Sequence, residues 1–436
     1  MKKRKNHIRC RYYIKGQLKL LSPMIIGSGE NDTADIQIIR DWDGNIIIPG
    51  TTLAGNIRHL LQSREKQKNL TNIYFGSNTD NSGHSLFSFF DATEVSADTD
   101  VRDGIKLHSL TKTTVDKSKY DYEIINKDSI FEFRMEAVGR TNTDLQCVET
   151  ILLEIINILE KGELRIGAKT SRGFGKVELS QTKGIKLEMS NPVDKKKWID
   201  FFWAALESEL ILQSKKDLFQ KVDNFKLSAV FSIPDSLIIR SYSFEPNDVD
   251  SVTMTFGKNP IISGTSWNGA IRHALENAGR ELGKHKKMQE LVRKTFGWVY
   301  DKDRSKEAIP SKVIIDESTI QDGKMIPYVR NKVDRFSGGV VNSALFDEKP
   351  VYGGTVQLDC ELKAPEDHEI GMVILAIKEL QNGIQTVGGG GNIGRGRLKG
   401  KISFEIPEED QEKYLNALAI RLTEADKNME TACNSK

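Results

Sequence analysis

The chain repeats one segment after about 214 positions. Residues 48–61 read IPGTTLAGNIRHLL, and residues 262–275 read ISGTSWNGAIRHAL. The glycine-rich segment that begins at Gly167 returns at Gly388, a shift of 221 positions, in the same order along the chain. Because solenoid repeats recur every ~20–50 residues, so long a period indicates a tandem duplication of a whole domain.

The spacing of the repeats divides the chain of 436 residues into two domains and a connector. We predict a first domain over 1–189 and a second over 223–436. Between them, residues 190–222 show helical periodicity and few helix breakers, which predicts a packed helical connector.

Each copy has the same predicted order of elements. It opens with an alternating strand, continues through the repeated segment as a helix, and closes with a helix, a glycine-rich loop and a strand. Two strand and helix alternations with added hairpins predict the α+β class and a ferredoxin-like plan of the RNA-recognition-motif kind. The chain is therefore expected to hold two tandem ferredoxin-like domains with inserted hairpins.

Composition excludes several classes of protein. Lys plus Arg (63) nearly balances Asp plus Glu (61), so any nucleic-acid surface must come from local clusters of charge. The four cysteines lack the spacing of a zinc site or of a disulfide framework. No apolar stretch approaches the ~20 residues of a membrane span, so we expect a cytoplasmic protein without membrane association.

The repeated helix start is the first candidate binding site. Glycine and threonine at a helix N-terminus can present amide groups to phosphate, and a following arginine adds a charged fork. The candidates are Gly50, Thr51, Thr52 and Arg58, with Gly264, Thr265 and Arg272 in the second copy. The alternative is a tight helix start whose arginine packs along the helix.

The two glycine-rich loops are the second candidate. They combine glycine with cationic, hydroxyl or amide side chains ahead of a strand, and they match neither a Walker A loop nor a dinucleotide fingerprint. A phosphate-binding loop for a polynucleotide remains, with a simple hairpin connection as the alternative. The candidates are Lys169, Ser171 and Arg172, and Gly390, Asn392 and Arg395.

The form GxxxxRGFGKV, together with the upstream form IPGxxLxGxIR, resembles the RAMP (repeat-associated mysterious protein) superfamily of CRISPR systems. More narrowly, the chain resembles a tandem fusion of two backbone subunits of type III effector complexes. That resemblance implies a CRISPR guide RNA and a single-stranded target RNA as ligands. It also implies other type III effector subunits as partners, including a large polymerase-like subunit and other RAMP subunits.

The resemblance further implies an aspartate that cleaves the target RNA with Mg²⁺ or Mn²⁺. Its position corresponds to Asp35 in the first half and Asp250 in the second, an offset of 215, and both are assigned as catalytic and metal-binding. Asp248 is a rival for the second assignment. The alternative is that these are turn-forming aspartates.

A thumb hairpin that enters the guide–target duplex is also implied. Arg330, Lys332, Arg335 and Phe336 match it in the second half, whereas the first half lacks the Arg-Phe-Ser-Gly-Gly pattern and leaves its thumb unassigned. His59 and its repeat His273 favour packing or phosphate contact over catalysis.

The sequence therefore predicts a guide-RNA-binding subunit that cuts target RNA at metal-dependent aspartates. Two other functions stay open. One is an architectural RNA-binding subunit that does not cut. The other is a guide-RNA maturation endonuclease, which would work without a metal.

Overall fold

A computed structural model describes residues 7–29, 35–76, 84–107, 113–207, 212, 216–241, 249, 251–298, 308–401 and 407–424. The chain divides into two compact units, one ending at Val222 and one beginning at Asp223, with Ser171–Gly173 counted in the second. Each unit has its own hydrophobic core. Helices and strands are mixed in both, so the protein belongs to the α+β class.

The first unit contains the strands β1 (Cys10–Leu20), β2 (Gly27–Gly29), β3 (Gln37–Ile38), β4 (Ile47–Ile48), β5 (Phe87–Phe89), β6 (Ala92–Ser96), β7 (Thr99–Leu107), β8 (Thr114–Ile125), β9 (Ile130–Gly139), β10 (Leu164–Arg165) and β11 (Lys176–Glu188). Its helices are α1 (Gly50–Arg64), α2 (Leu70–Phe75), α3 (Asn142–Glu160) and α4 (Pro192–Ile199), with short 3-10 turns at Thr170–Arg172 and Trp203–Ala205.

The main sheet of the first unit runs in the order β10-β11-β1-β9-β6-β4, and β5 also pairs with β9. Neighbouring strands are antiparallel. Alternate residues of β9 are buried, as expected for a strand with one face on a core. The core includes Ile57 of α1 and Leu152 of α3, so both helices contribute their apolar sides to it.

The second unit contains the strands β12 (Asn224–Ser232), β13 (Ser236–Leu237), β14 (Arg240–Ser241), β15 (Ser251–Thr253), β16 (Thr255–Phe256), β17 (Asn259–Ile262), β18 (Val313–Ile315), β19 (Ser318–Gln321), β20 (Lys324–Met325), β21 (Tyr328–Val333), β22 (Val340–Lys349), β23 (Val351–Tyr352), β24 (Thr355–Lys363) and β25 (Lys399–Lys401). Its helices are α5 (Gly264–Glu281), α6 (His285–Phe296), α7 (Asp367–Gln381) and α8 (Glu408–Thr423), with a 3-10 turn at Gly391–Ile393.

The second sheet repeats the first. Its order is β16-β17-β19-β24-β12-β25, with β18 also on β24. In the first unit β1 lies between β11 and β9, and in the second unit β12 lies between β25 and β24 in the same way. The strands β11 and β25 both follow the glycine-rich loop. The duplication in sequence is therefore a duplication in topology.

Both units carry a long antiparallel hairpin inserted before the third core strand. It is β7–β8 in the first unit and β21–β22 in the second. The sequence leaves the first hairpin unassigned because it lacks the Arg-Phe-Ser-Gly-Gly pattern. Backbone pairing from Thr99 to Ile125 forms a hairpin there without that pattern.

Within the described residues of the predicted connector, 190–207, 212 and 216–222, helix is found in α4 and in one 3-10 turn. Helix α4 ends at Ile199, and Phe201 and Trp203 pack on Tyr13 at the outer face of the sheet. The predicted helical periodicity is therefore not followed at residues 201–203, where these aromatic residues pack against the sheet. The segment also belongs to the first unit.

Candidate nucleic-acid interface

The residues that recur in α1 and α5 fall into groups with different environments. Gly50, Ile57 and Leu61 are buried. A Cβ added at Gly50 would lie 2.3 Å from the carbonyl oxygen of Phe89, and one at Gly264 would lie 2.5 Å from that of Ile315. The first recurring glycine is therefore required by the close approach of the helix to a neighbouring strand.

A second group forms what we call the Thr-Gly-His stripe, which is Thr51, Gly55 and His59 in α1 and Thr265, Gly269 and His273 in α5. Its members are spaced by four residues and share one side of each helix. The stripe is exposed in α1 and partly exposed in α5.

The glycines of the stripe have no packing role among the described residues. A Cβ added at Gly55 or at Gly269 would meet no atom within 4 Å there. Glycine inside a helix costs about 1 kcal/mol relative to alanine. Its presence at the same place in both helices is therefore not explained by packing among the described residues.

The recurring arginines turn toward the protein. Arg58 Nη2 donates to Asn72 Oδ1 at 2.6 Å, and Arg272 Nη1 lies 3.5 Å from the carbonyl oxygens of Phe296 and Gly297. Burial lowers the pKa of the Arg272 guanidinium below its ordinary value. Each arginine thus links its helix to the next one, which is the packing alternative rather than the predicted phosphate contact.

The helix starts also find partners within the protein. The amide of Gly50 donates to Asp91 Oδ1 at 2.7 Å, so a carboxylate occupies the place predicted for phosphate. In α5, Ser263 Oγ accepts the amide of Ser266 and lies 2.8 Å from Thr265 Oγ1. Of the predicted residues at the first helix start, Thr51 is exposed and Thr52 is partly buried.

The predicted catalytic Asp35 lies at the surface beside hairpin strand β8. Its Oδ2 accepts the amide of Asp121 at 2.9 Å, which fixes the carboxylate against the hairpin. The next residue, Ile36, bridges Tyr122 in parallel. The second candidates, Asp250 and Asp248, lie outside the described residues.

A Mg²⁺ or Mn²⁺ site needs donor side chains that lie close together. Among the described residues, no group of three or more His, Cys, Asp or Glu side chains could hold a metal ion. Mg²⁺ is commonly held by one or two carboxylates, waters and substrate phosphates. The exposed Asp35 carboxylate fits as one ligand of an ion that is shared with RNA.

The first glycine-rich loop sends its lysine inward. Lys169 Nζ lies 3.2 Å from the ring centroid of Tyr122 and 4.9 Å from that of Tyr120, a cation–π arrangement. Ser171 is partly buried, and Arg172 is exposed. Of the three residues predicted to contact RNA in this loop, Lys169 thus packs on aromatic rings of the hairpin, and Arg172 is exposed to solvent.

The second glycine-rich loop also buries its cation. Arg395 is 5% exposed, and its Nη1 lies 2.5 Å from Glu348 Oε2. Gly390 has φ +76°, which suits glycine, and Asn392 is exposed. The assignment of Arg395 as a direct RNA contact is therefore corrected, because it forms a buried ion pair with the hairpin.

The second hairpin presents most of its predicted residues to solvent. Lys332, Arg335 and Phe336 are exposed at or near its tip. Asp334 Oδ1 accepts the amides of Phe336 and Ser337 at 2.9 and 2.8 Å, which orders the turn and lowers the pKa of the Asp334 carboxyl.

Arg330 is different from the tip residues because it pairs with Glu348 at the base of the hairpin. Glu348 also pairs with Arg240 Nη2 at 2.8 Å. Sequence reasoning missed Arg240 and Glu348. They are 108 positions apart and no motif contains them, so only the fold brings them together.

Two α+β units that repeat a motif helix and an inserted hairpin define a tandem-domain protein with a candidate nucleic-acid interface in each half. The sequence profile of the RAMP superfamily matches residues 17–178 and 233–399. The chain therefore belongs to the RAMP superfamily, with one RAMP domain in each half. Proteins of this superfamily generally bind CRISPR RNA and act in effector complexes.

Comparison with curated proteins gave no match. Within the part of the chain that the structure describes, no helix is long and apolar enough to cross a membrane.

Proposed function

We propose that the protein is a guide-RNA-binding backbone subunit of a type III CRISPR effector complex and that it cleaves complementary target RNA. The observation that carries this proposal is the Thr-Gly-His stripe, which recurs in α1 and α5 and whose glycines, Gly55 and Gly269, have no packing explanation among the described residues. A polynucleotide backbone that runs close to both helices would account for it.

The strand order supports the finer fold assignment. With the inserted hairpins, the second helix of each pair (α2, α6) and the short strands set aside, each unit has the order strand, helix, strand, strand, helix, strand, and its sheet runs last, first, third, second. This order supports the proposal of a ferredoxin-like plan. In the first unit, Phe201 stacks on Tyr13 with ring centroids 4.1 Å apart, so the outer sheet face is covered and RNA is assigned to the helix stripe.

The proposed chemistry needs few protein groups. The 2′-hydroxyl of RNA lies next to the phosphate and can act as the nucleophile, so the protein must mainly hold the strand in line. A bound divalent ion would supply Lewis-acid stabilisation of the phosphate. Asp35 would hold that ion through its carboxylate, which the amide of Asp121 orients.

Register supports Asp250 as the counterpart of Asp35. Ile36 pairs in parallel with Tyr122, and Ser251 pairs in parallel with Glu348, in equivalent hairpin strands. Asp35 and Asp250 each precede the paired residue by one position, whereas Asp248 does not. We therefore assign the second cut to Asp250.

The stripe is tested by the double variant Gly55→Gln/Gly269→Gln. Glutamine is a good helix former, and its Cβ would meet no described atom within 4 Å at either site, so the fold should be kept. We expect RNA affinity to fall at least tenfold in a filter-binding titration. Ala419→Gln, at an exposed position of α8, is the matched control and should bind normally. Unchanged binding by the double variant would remove the stripe from the interface.

The architectural alternative is favoured by one observation, since no group of three or more His, Cys, Asp or Glu side chains among the described residues could hold a metal ion. It predicts that target RNA is bound but not cut, with or without Mg²⁺. Cleavage that a chelator stops would exclude it. Cleavage of guide-precursor RNA that continues in the chelator would instead identify the maturation endonuclease.

A further inference from the structure

Glu348 collects three guanidinium groups at the base of the second hairpin. Arg395 and Arg330 contact its Oε2, and Arg240 contacts its Oε1. The three arginines come from the glycine-rich loop, from β21 and from β14. Because Glu348 is 5% exposed, its carboxylate is largely shielded from water and holds all three groups in place.

The charges of this cluster do not balance. Three guanidinium groups and one carboxylate leave a net charge of +3 − 1 = +2. The charge of Arg395 is neutralised within its buried ion pair with Glu348. The side chains of Arg240 and Arg330 are 55% and 31% exposed, and Glu348 is their only anionic partner among the described residues.

Arg240 and Arg330 also keep spare hydrogen-bond donors. A guanidinium carries five N–H groups, and each of these arginines uses one nitrogen for Glu348. The Nε–H of Arg330 has no hydrogen-bond partner among the described residues. Two partly exposed guanidinium groups that contact the two oxygens of one carboxylate suit a phosphate group.

The first unit has no equivalent cluster. Strand register makes Tyr122 the counterpart of Glu348, because Ile36 and Ser251 pair with them in the same way. An aromatic ring thus stands where the second unit has its buried carboxylate. The two halves share a backbone at this place but differ in chemistry.

The two open arginines are replaced by glycines in the first unit. In the two hairpins, Arg330 pairs with Phe346 and Gly104 pairs with Tyr120. The offset between Arg330 and Gly104 (330 − 104 = 226) equals the offset between Glu348 and Tyr122 (348 − 122), so Gly104 is the counterpart of Arg330. Arg240 corresponds to Gly27 at an offset of 213, the shift that relates residues 24–26 to 237–239. Arg240 and Arg330 therefore have no cationic counterpart at the matching positions of the first half.

We propose that Arg240 and Arg330, aligned by Glu348, form a phosphate-binding site that exists only in the second half and takes a phosphodiester of bound RNA. The identification of the phosphate as RNA rests on the proposed function. Ser251 pairs directly with Glu348, so the site lies beside strand β15. A phosphodiester held there would fix the RNA at the second unit more firmly than at the first.

The test is the double variant Arg240→Gln/Arg330→Gln in the full-length protein. Arg395 still neutralises Glu348, so the variant is expected to fold. The matched control, Lys226→Gln/Lys324→Gln, removes the same charge from exposed positions of the same unit. The single variant Arg240→Gln, at the more exposed residue, keeps the test available if the double variant is unstable.

The first measurement is the salt dependence of RNA binding. Each lost phosphate contact should reduce the slope of log K against log salt by about 0.7 for single-stranded RNA. Both arginines bind the same phosphodiester, so we expect a reduction of about 0.7 for the double variant and none for the control. An unchanged slope, or an equal change in the control, would overturn the site. If the wild-type protein does not bind RNA, the proposed function fails instead.

The second measurement does not depend on RNA. Inorganic phosphate at fixed ionic strength should raise the melting temperature of the wild type and of the control more than that of the double variant. Equal shifts in all three proteins would overturn the site. Protection by a free mononucleotide as strong as that by RNA would overturn the assignment of the ligand as a polynucleotide.

Discussion

The guanidinium carbon of Arg102 lies 5.9 Å from the ring centroid of Phe174, and that of Arg395 lies 5.9 Å from the ring of Tyr328. By the register of the two hairpins, Arg102 in the first unit corresponds to Tyr328 in the second. In the alignment of the two glycine-rich loops, Phe174 corresponds to Arg395. The two halves therefore keep one cation–π contact with its partners exchanged. In the first unit the loop supplies the ring, and in the second unit it supplies the cation.

This exchange predicts how the stability of the first unit changes when the arginine of the second unit is introduced at the matching position, Phe174. Phe174 is 2% exposed, so Phe174→Arg places an unpaired cation in the core of the hairpin base and should cost about 3–5 kcal/mol of unfolding free energy. Adding Tyr122→Glu supplies the carboxylate that the second unit uses and should recover more than about 1 kcal/mol. Urea unfolding of both single variants and the double variant measures the coupling, and strictly additive costs would contradict the equivalence.

Asp35→Ala is expected to remove one cutting position and leave RNA affinity within about twofold. A surface carboxylate repels phosphate, so its loss does not weaken the electrostatic grip. Cleavage products on a denaturing gel and a binding titration separate the two effects. Asp43→Ala is the control, because Asp43 is an exposed carboxylate on the adjoining turn. A parallel loss of affinity would show that Asp35 has a structural role.

The Glu348 cluster predicts a dependence of stability on pH. Burial alone would raise the pKa of the Glu348 carboxyl, but hydrogen bonds and charges from the three arginines outweigh it and hold that pKa below its ordinary value. A lowered folded-state pKa means that Glu348 stabilises the fold fully above its unfolded pKa of about 4.3, and that this contribution is lost as pH falls through the folded value.

The measurement compares the wild type with Glu348→Gln. Their difference in unfolding free energy should be constant between pH 5 and 7, at about 3–5 kcal/mol because three arginines lose their anion, and should shrink below about pH 4. Arg240→Gln/Glu348→Gln is the control, since it removes part of the surplus charge and should cost less than Glu348→Gln alone. A difference that grows as the pH falls would contradict the lowered pKa.

The repeated elements were predictable from the sequence because local patterns encode them. The start of α1 at Gly50 follows from the glycine, threonine and apolar spacing of the segment, and its second copy repeats the same signal. The RAMP assignment also followed from the paired motifs. The mixture of strands and helices in each half, and with it the α+β class, also followed from the sequence.

Contacts between distant residues were not predictable. Nothing in the sequence shows that Lys169 meets Tyr122 or that Arg395 meets Glu348, since a cation in a glycine-rich loop suggests phosphate more readily than a buried partner. The recurrence of Arg58 suggested a ligand contact for the same reason. In the structure, repeated packing between two helices accounts for it equally well.

The aromatic segment at Phe201 and Trp203 has a consequence for dissecting the protein. The superfamily match ends at residue 178 in the first half, and a fragment that follows the domain boundary predicted from the sequence would stop at residue 189. Such a fragment would leave Tyr13 and Leu187 bare on the outer face of its sheet, where they would promote aggregation. A soluble first half must therefore extend to residue 222, so the boundary that homology marks differs from the boundary at which the chain can be cut.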